Sequence, residues 1–260
     1  MYVMKVLDLT GKNALVTGAT GELGRAICRG LAECGANVAV CYRSQKEAAE
    51  WLCSELKENY GVKASSVQSD VSDPASVQKM KEEVDCSLGT VDILVNNAVA
   101  FHQWKTVLDQ DIAAFESQFR SSVLQAVLMA KAFIPDMIQK KQGRIIAINT
   151  ECSMSMLPKQ SAYVAGKRGM DGVYKVLARE VGMYGITVNE VAPGWTLSEK
   201  WRLHKDELGD DSDYIAAVPL RRRGTDDEIA DAVCFLASSY AGFITGAYLP
   251  VCGGNVMPCI

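Results

Sequence analysis

Tyr163 and Lys167 lie four residues apart in Ser161-Ala162-Tyr163-Val164-Ala165-Gly166-Lys167. On a helix that spacing sets two side chains one turn apart on one face. An ammonium beside a phenol favours the phenolate and lowers a pKa that is ordinarily about 10. A phenol tuned this way exchanges a proton with a substrate oxygen near neutral pH. Alone, the pair is a weak signal, because Tyr and Lys at this spacing are more often a packed ring beside a solvated ammonium. The rest of the chain decides between the two readings.

A second constellation stands near the N-terminus. Thr17-Gly18-Ala19-Thr20-Gly21-Glu22-Leu23-Gly24 follows a short apolar run and leads directly into a helical pattern. Glycines permit a tight turn and a close backbone approach to a pyrophosphate, and the helix start adds unpaired N–H groups and a positive dipole end. In such a unit the end of the second strand selects the cofactor: an acid binds a ribose 2′-hydroxyl, a base accommodates a 2′-phosphate. Here Val38-Ala39-Val40-Cys41 runs into Tyr42-Arg43-Ser44, with no acid before Glu47. A guanidinium and a hydroxyl suit a phosphate. NADP(H) is therefore expected ahead of NAD(H), with a merely solvated Arg43 as the competing reading.

These residues need a frame to position them. Strand candidates cover 13–17, 37–41, 64–68, 93–96, 144–149, 187–192 and 248–251. Helical patterns cover 23–34, 45–60, 75–88, 111–140, 161–183 and 226–238. In the first of these, Leu23, Ala26, Ile27, Gly30 and Leu31 share one face. Strands alternating with helices of this length predict parallel βαβ units. The expected fold is α/β: a Rossmann-type doubly wound sheet of about seven parallel strands flanked by helices, one domain over 1–260. Continuous apolar runs at 38–40 and 145–148 suit strands covered on both faces. Residues 194–220 carry Trp195, Trp201 and Tyr214 among several acids, and read as a substrate lid, with a solvated excursion as the alternative.

Composition narrows the classes. The 260 residues are 48% hydrophobic and 22% charged, enough to build one sizeable core. A net charge of −4 and a pI near 5.4 argue against a nucleic-acid surface. Arg221-Arg222-Arg223 is too short to change that and reads as a solvated turn. Nine cysteines without a Cys-x-x-Cys, several inside apolar stretches, read as buried reduced thiols of a cytoplasmic protein. His102 and His204 are far apart and lack ligand spacing, so no metal site is expected. No signal-peptide pattern and no apolar run near the ~20 residues of a membrane span are evident.

With the glycine turn and the Tyr–Lys pair in order, the chain resembles the short-chain dehydrogenase/reductase family from about residue 9 to 254. Its best stretches are similar to the 3-oxoacyl-[acyl-carrier-protein] reductase type. The resemblance rests also on Asp70-Val71, Asn96-Asn97-Ala98, Gly143-Arg144-Ile145-Ile146, Val188-Asn189-Glu190-Val191-Ala192-Pro193-Gly194, Phe235-Leu236-Ala237, Ile244-Thr245-Gly246 and Gly253-Gly254. It implies cofactor contacts from the turn at Gly18, Thr20, Gly21, Glu22, Leu23 and Gly24, and from Tyr42, Arg43 and Ser44. Further contacts are implied at Asp70, Val71, Asn97, Ala98, Tyr163, Lys167, Pro193, Gly194, Thr196 and Ser198. Catalysis would fall to Tyr163 as general acid/base and to Lys167, which also binds the ribose. Thr150, thirteen residues before Tyr163, stands where the family has a serine, and Ser122 where it has an asparagine that helps hold a water linking the lysine to solvent.

The departures cluster at the site. Glycines follow TGxxGxxG in place of TGxxxGxG, so Glu22 stands where a glycine is usual, and Val99 replaces the glycine of Asn-Asn-Ala-Gly. Thr150 keeps a hydroxyl but its methyl restricts χ1. A serine at 122 is short and often bonds its own helix carbonyl. The implied function is hydride transfer between NADP(H) and a carbonyl or secondary alcohol. The rival is a weakly active or non-catalytic dinucleotide-binding sensor or scaffold. Phe101, His102, Trp104, Met154, Met156, Leu157, Trp195 and Trp201 suggest a mostly apolar substrate pocket, with His102, Glu151 or Lys205 as polar handles. A homotetramer is implied by the resemblance, a dimer being second.

Overall fold

The seven apolar runs form seven parallel strands: β1 (Asn13–Val16), β2 (Asn37–Tyr42), β3 (Ala64–Gln68), β4 (Ile93–Asn96), β5 (Gly143–Ile148), β6 (Ile186–Pro193) and β7 (Tyr248–Val251). The computed structural model describes residues 7–198 and 210–258. Strands lie side by side in the order β3-β2-β1-β4-β5-β6-β7. Successive side chains of a strand point to opposite faces, so β1 divides its residues between two cores. Ala14 and Val16 pack under α1 (Glu22–Glu33), α2 (Lys46–Tyr60) and α9 (Asp226–Ala237). Leu15 packs on the other side, under α3 (Pro74–Ser87), α5 (Gln125–Lys140) and α7 (Ser161–Val181). Both faces are covered, which is why these strands read as apolar runs without alternation.

Helix ends carry the local chemistry that starts them. Asp73 caps α3 by accepting from Ser76 N at 2.9 Å, with Pro74 in the first turn. Thr225 and Glu228 form a reciprocal capping box at the start of α9. Element ends agree with the sequence reading to within two residues, with one instructive difference. The stretch expected as one helix over 111–140 is α4 (Ile112–Phe119) and α5 joined by a single wide π turn at Arg120–Leu124. Such turns are rare and concentrate at functional sites; this one carries Ser122. By length and composition Ile112–Lys140 could cross a membrane, but Ala126, Met129, Phe133 and Met137 bury its inner face against the sheet.

Short helices α6 (Cys152–Ser155) and α8 (Ser212–Ala217) complete the described chain. The centre of the expected lid, 199–209 with Trp201, His204 and Lys205, lies outside the described residues. Two expectations are corrected. Arg223 is buried, not a solvated turn residue: its guanidinium lies 4.4 Å from the Trp195 ring and donates to the Trp195 and Thr196 carbonyls. Nor are the thiols all interior, since Cys86 is exposed and Cys34 and Cys152 are half-buried; Cys259 lies outside the described residues.

Candidate active site

The order of the strands reverses at β1, which lies between β2 and β4, and ligands of open α/β sheets bind beyond the strand ends at such a point. The chain leaves β1 at Thr17 and turns through Gly18 at φ +61°. A Cβ at Gly18 would sit 2.9 Å from Ala98 Cα, and one at Gly24 would sit 2.3 Å from the Gly18 carbonyl oxygen. Glycine is thus required twice, for conformation and for backbone-on-backbone packing. Glu22 opens α1 with Gly21 before it, so the shifted glycine spacing still delivers a turn onto a helix N-terminus.

Thr17 ties this turn to the neighbouring strand. Its hydroxyl accepts from the N–H groups of Asn97 and Ala98, both at 3.0 Å, and donates to Gln125 Oε1 at 3.0 Å. Asn97 Nδ2 donates to the carbonyls of Thr17 and Gly18 at 3.0 and 3.1 Å. The Asn97 side chain therefore braces the turn, a role its sequence position did not reveal.

A cleft of about 760 Å³ opens over these groups. Gly18, Thr20, Gly21, Glu22, Leu23 and Gly24 line one part, Tyr42, Arg43 and Ser44 another, with Asp70, Val71, Asn97, Ala98 and Val99 completing it. Arg43 is exposed, and its carbonyl accepts from Gln68 Nε2 at 2.8 Å. Asp70 accepts from the hydroxyl and N–H of Ser72, and these bonds, helped by Arg43, hold its carboxyl below the ordinary value. The far wall comes from Glu116, Ser117, Arg120 and Ser121 on α4 and the wide turn, none of which the sequence singled out. Tyr163, Lys167, Pro193, Gly194, Thr196 and Ser198 lie outside this lining.

The proton-transfer candidates meet where β5 hands over to α6 and α7. Asn149 fixes Thr150: its Oδ1 accepts from Thr150 N at 2.9 Å and from Ser153 Oγ at 2.8 Å. Tyr248 Oη donates to the Thr150 carbonyl at 2.5 Å. The Thr150 hydroxyl accepts from Cys152 N at 3.2 Å and lies near enough to Tyr163 to act on its phenol. Lys167 is 3% exposed, donates to the Ile148 carbonyl at 2.6 Å and lies 5.9 Å from the Tyr163 ring centre. Burial pulls its ammonium down to about 8, against the opposing charge of Glu190. The expected lowering of the phenol is not met. Burial pushes Tyr163 up, Cys152 adds to this, and only the neighbouring Thr150 hydroxyl acts the other way, while the Lys167 ammonium is directed to a backbone carbonyl.

Tyr163 also has a cover. The His102 ring stacks on it, centres 4.2 Å apart and planes 10° apart, and Trp104 stands edge-on to both. Burial foremost, with the Lys167 charge assisting, holds His102 below its ordinary value. Ser122 is buried in the wide turn, and its hydroxyl has no partner among the described residues; it does not bond its own helix carbonyl as expected. Neighbouring Ser121 makes that bond instead, to Ser117 O at 2.9 Å.

Glu151 is no free handle, because it accepts from Asn255 Nδ2 at 2.9 Å while its N–H donates to Pro193 O. Gly194 packs against Tyr214 and Cys252, Thr196 bonds the Gly194 carbonyl, and Ser198 is buried. Phe101, Trp104, Met156, Leu157 and Trp195 are exposed apolar side chains, and Met154 is half-buried.

Comparison with known proteins agrees with this geometry. A family model described as enoyl-(acyl carrier protein) reductase matches residues 18–255. The chain is 37% identical to a 3-oxoacyl-[acyl-carrier-protein] reductase FabG of Staphylococcus epidermidis over 256 residues, 95% of this chain and 99% of the relative. It is 36% identical to the FabG of Escherichia coli strain K12 over 261 residues, 96% of this chain and all of the relative. A solved NAD+-bound xylitol dehydrogenase superposes with a TM-score of 0.86 at 29% identity, covering 94% of this chain and 99% of that one. A glycine turn at the strand-order reversal, a buried lysine one helical turn from a tyrosine, and these matches over nearly the whole length together establish that the chain belongs to the short-chain dehydrogenase/reductase family, oxidoreductases that exchange a hydride with C=O or CH–OH groups.

Proposed function

We propose that the protein is an NADP(H)-dependent reductase of 3-oxoacyl-type carbonyls, or in reverse a dehydrogenase of the corresponding alcohols, with Tyr163 as general acid/base. The observation that carries this reading is the convergence of Thr150, Tyr163 and the buried Lys167 at the end of β5, with the Lys167 ammonium 5.9 Å from the Tyr163 ring centre and the Thr150 hydroxyl near enough to act on the phenol. The cleft fits a dinucleotide: two positions admit only glycine, and Arg43 with Ser44 stands where a 2′-phosphate would be read. Gly18 to Gly24 would hold the pyrophosphate, Asp70 and Val71 the adenine side, and Tyr163 and Lys167 the ribose nearest the chemistry. The nicotinamide supplies the hydride.

The chain's own residues handle the oxygen. Thr150 polarises the carbonyl, and Tyr163, held protonated by burial, donates to the oxygen as negative charge develops there. Lys167, still largely cationic near neutrality with its pKa pulled to about 8, supports the phenolate left behind. His102 and Trp104 keep water off the ring face. Two neighbouring hydroxyls, Thr150 and Tyr163, suit an oxygen that gains a proton better than an alkene carbon, so carbonyl reduction is preferred to the enoyl chemistry in the family description.

Exposed apolar side chains at Phe101, Met156, Leu157 and Trp195 support an acyl chain as the substrate body. Shallow hollows on the outer face of α4, α5 and α7, lined by Phe115, Phe119 and Leu124 and by Val127, Val173 and Val176, support assembly into a homotetramer, or a dimer. The free thiols support a reducing cytoplasmic setting.

The test is NADPH consumption with acetoacetyl-CoA and a panel of ketones. Wild type turns over and Tyr163→Phe does not. NADPH binding without consumption on any substrate would establish the sensor or scaffold reading instead.

A further inference from the structure

Beneath Lys167 lies a buried acid that the scheme above leaves without a role. Glu190 is 2% exposed in the middle of β6, and it shares a sheet face with Val188, which packs against Met170 and Tyr174 of α7. Register places it beside Ala147 of β5, two residues before Asn149. Asn149 Nδ2 donates to Glu190 Oε2 and reaches the Lys167 carbonyl at 3.4 Å, while Glu190 Oε1 is buried with no partner among the described residues. A buried carboxyl in an apolar strand costs several kcal/mol unless something compensates it, so its presence here needs a reason.

The inner face of α7 supplies one. Lys167, Asp171 and Tyr174 are buried at helical spacing over Glu190, and Asp171 pairs with Lys175 at 3.1 Å and Arg168 at 3.7 Å, both of which reach solvent. The titratable groups facing Glu190 are thus Lys167, Asp171, Tyr174 and Lys175 from α7 and Tyr248 from β7, while β5 contributes only the Asn149 amide. Lys167 and Glu190 act on one another electrostatically. The Ser122 hydroxyl has no hydrogen-bond partner among the described residues.

Resting on the reading of Tyr163 and Lys167 given above, we propose that Glu190 is a positioning residue for Lys167: it holds the Asn149 amide, which reaches the Lys167 carbonyl and fixes Thr150, and its carboxylate lies beneath α7 as the counter-charge that keeps the Lys167 ammonium protonated. Each reduction removes one proton from Tyr163. A Lys167 ammonium kept charged by the acid beneath it stabilises the phenolate left behind until solvent returns that proton. Burial pushes Glu190 up to about 7, so the counter-charge is in place above that pH.

Infrared titration of the protonated-carboxyl band, on the full chain, tests the coupling without turnover. The band of wild type is lost in Glu190→Gln. Its midpoint moves up by about one unit in Lys167→Met, which removes a cation, and down in Asp171→Asn, which removes a like charge. Kinetics with NADPH and acetoacetyl-CoA test the role: in Glu190→Gln the alkaline limb of kcat moves down by about one pH unit, roughly tenfold in rate above it, with KM unchanged. A midpoint indifferent to Lys167→Met, or a kcat profile of Glu190→Gln superimposable on wild type, would overturn the inference. Absence of turnover by wild type itself would overturn the proposed function and leave the infrared midpoints to decide this one.

Discussion

Replacing Arg43 with alanine isolates the step that decides the cofactor. Arg43 lies at the end of β2, exposed in the cleft, its backbone held by Gln68 and its guanidinium near enough to Asp70 to act on it. A hydrogen bond to a charged group contributes about 1.5–3 kcal/mol. Exposure puts this one at the lower end, and about 1.4 kcal/mol is tenfold in Kd. The Kd for NADPH should therefore rise about tenfold in Arg43→Ala. NADH, with a hydroxyl in place of the phosphate, should bind with unchanged affinity. Because the contact faces solvent, salt should weaken NADPH binding to wild type more than to the variant. Parallel calorimetric titrations of both cofactors at low and high salt measure all of this. An equal loss for NADPH and NADH, or none for either, would refute the reasoning and make Arg43 a solvated residue.

Gly24→Ala places a methyl 2.3 Å from the Gly18 carbonyl oxygen, so the turn must shift; both cofactors should bind at least about tenfold more weakly and Tm should fall, by titration and thermal melts. Glu190→Gln changes stability with pH. Its carboxyl is raised from 4.5 to about 7 in the fold, so the native state binds the proton more tightly, and stability is full below about 4.5 and lost as pH rises through 7. The glutamine variant should then be more stable by about 3 kcal/mol near pH 8, with the gap closing toward pH 4.5 in urea unfolding; equal stability at both would contradict the burial argument. Thr225→Ala removes the α9 capping box and should cost about 1 kcal/mol in the same assay while leaving NADPH affinity alone.

The frame was legible because its signals are local and periodic. Apolar runs at 38–40 and 145–148, separated by amphipathic stretches, leave parallel βαβ units as the one economical solution, and the glycine turn marks where the first unit binds. What escaped depends on three-dimensional partners. A π turn at Arg120–Leu124 has no signature in residue type, and it carries Arg120 and Ser121, which line the cleft. Asn97 was singled out as a cofactor contact and does line the cleft, but its amide's hold on the carbonyls of Thr17 and Gly18 needed the structure to be seen. His102 was one of several loop residues until its ring lay on Tyr163. Spacing placed Tyr163 and Lys167 on one face correctly but could not report that burial would raise the phenol, since that depends on what covers the helix. Glu190 did leave a trace, an acid inside the apolar run 186–193, and only α7 above it gives that trace a meaning.

The single Thr17 hydroxyl bonded to Asn97 N, Ala98 N and Gln125 has a consequence for redesign. The two ends of the cleft are not modules. Residue 17 underlies the glycine turn, yet the same oxygen fixes the 97–99 strip and, through Gln125, the first turn of α5 beside Ser122. A change there to valine would strand two inward N–H groups at once, so cofactor exchange by loop grafting must carry Thr17, Asn97 and Gln125 together as one unit of inheritance.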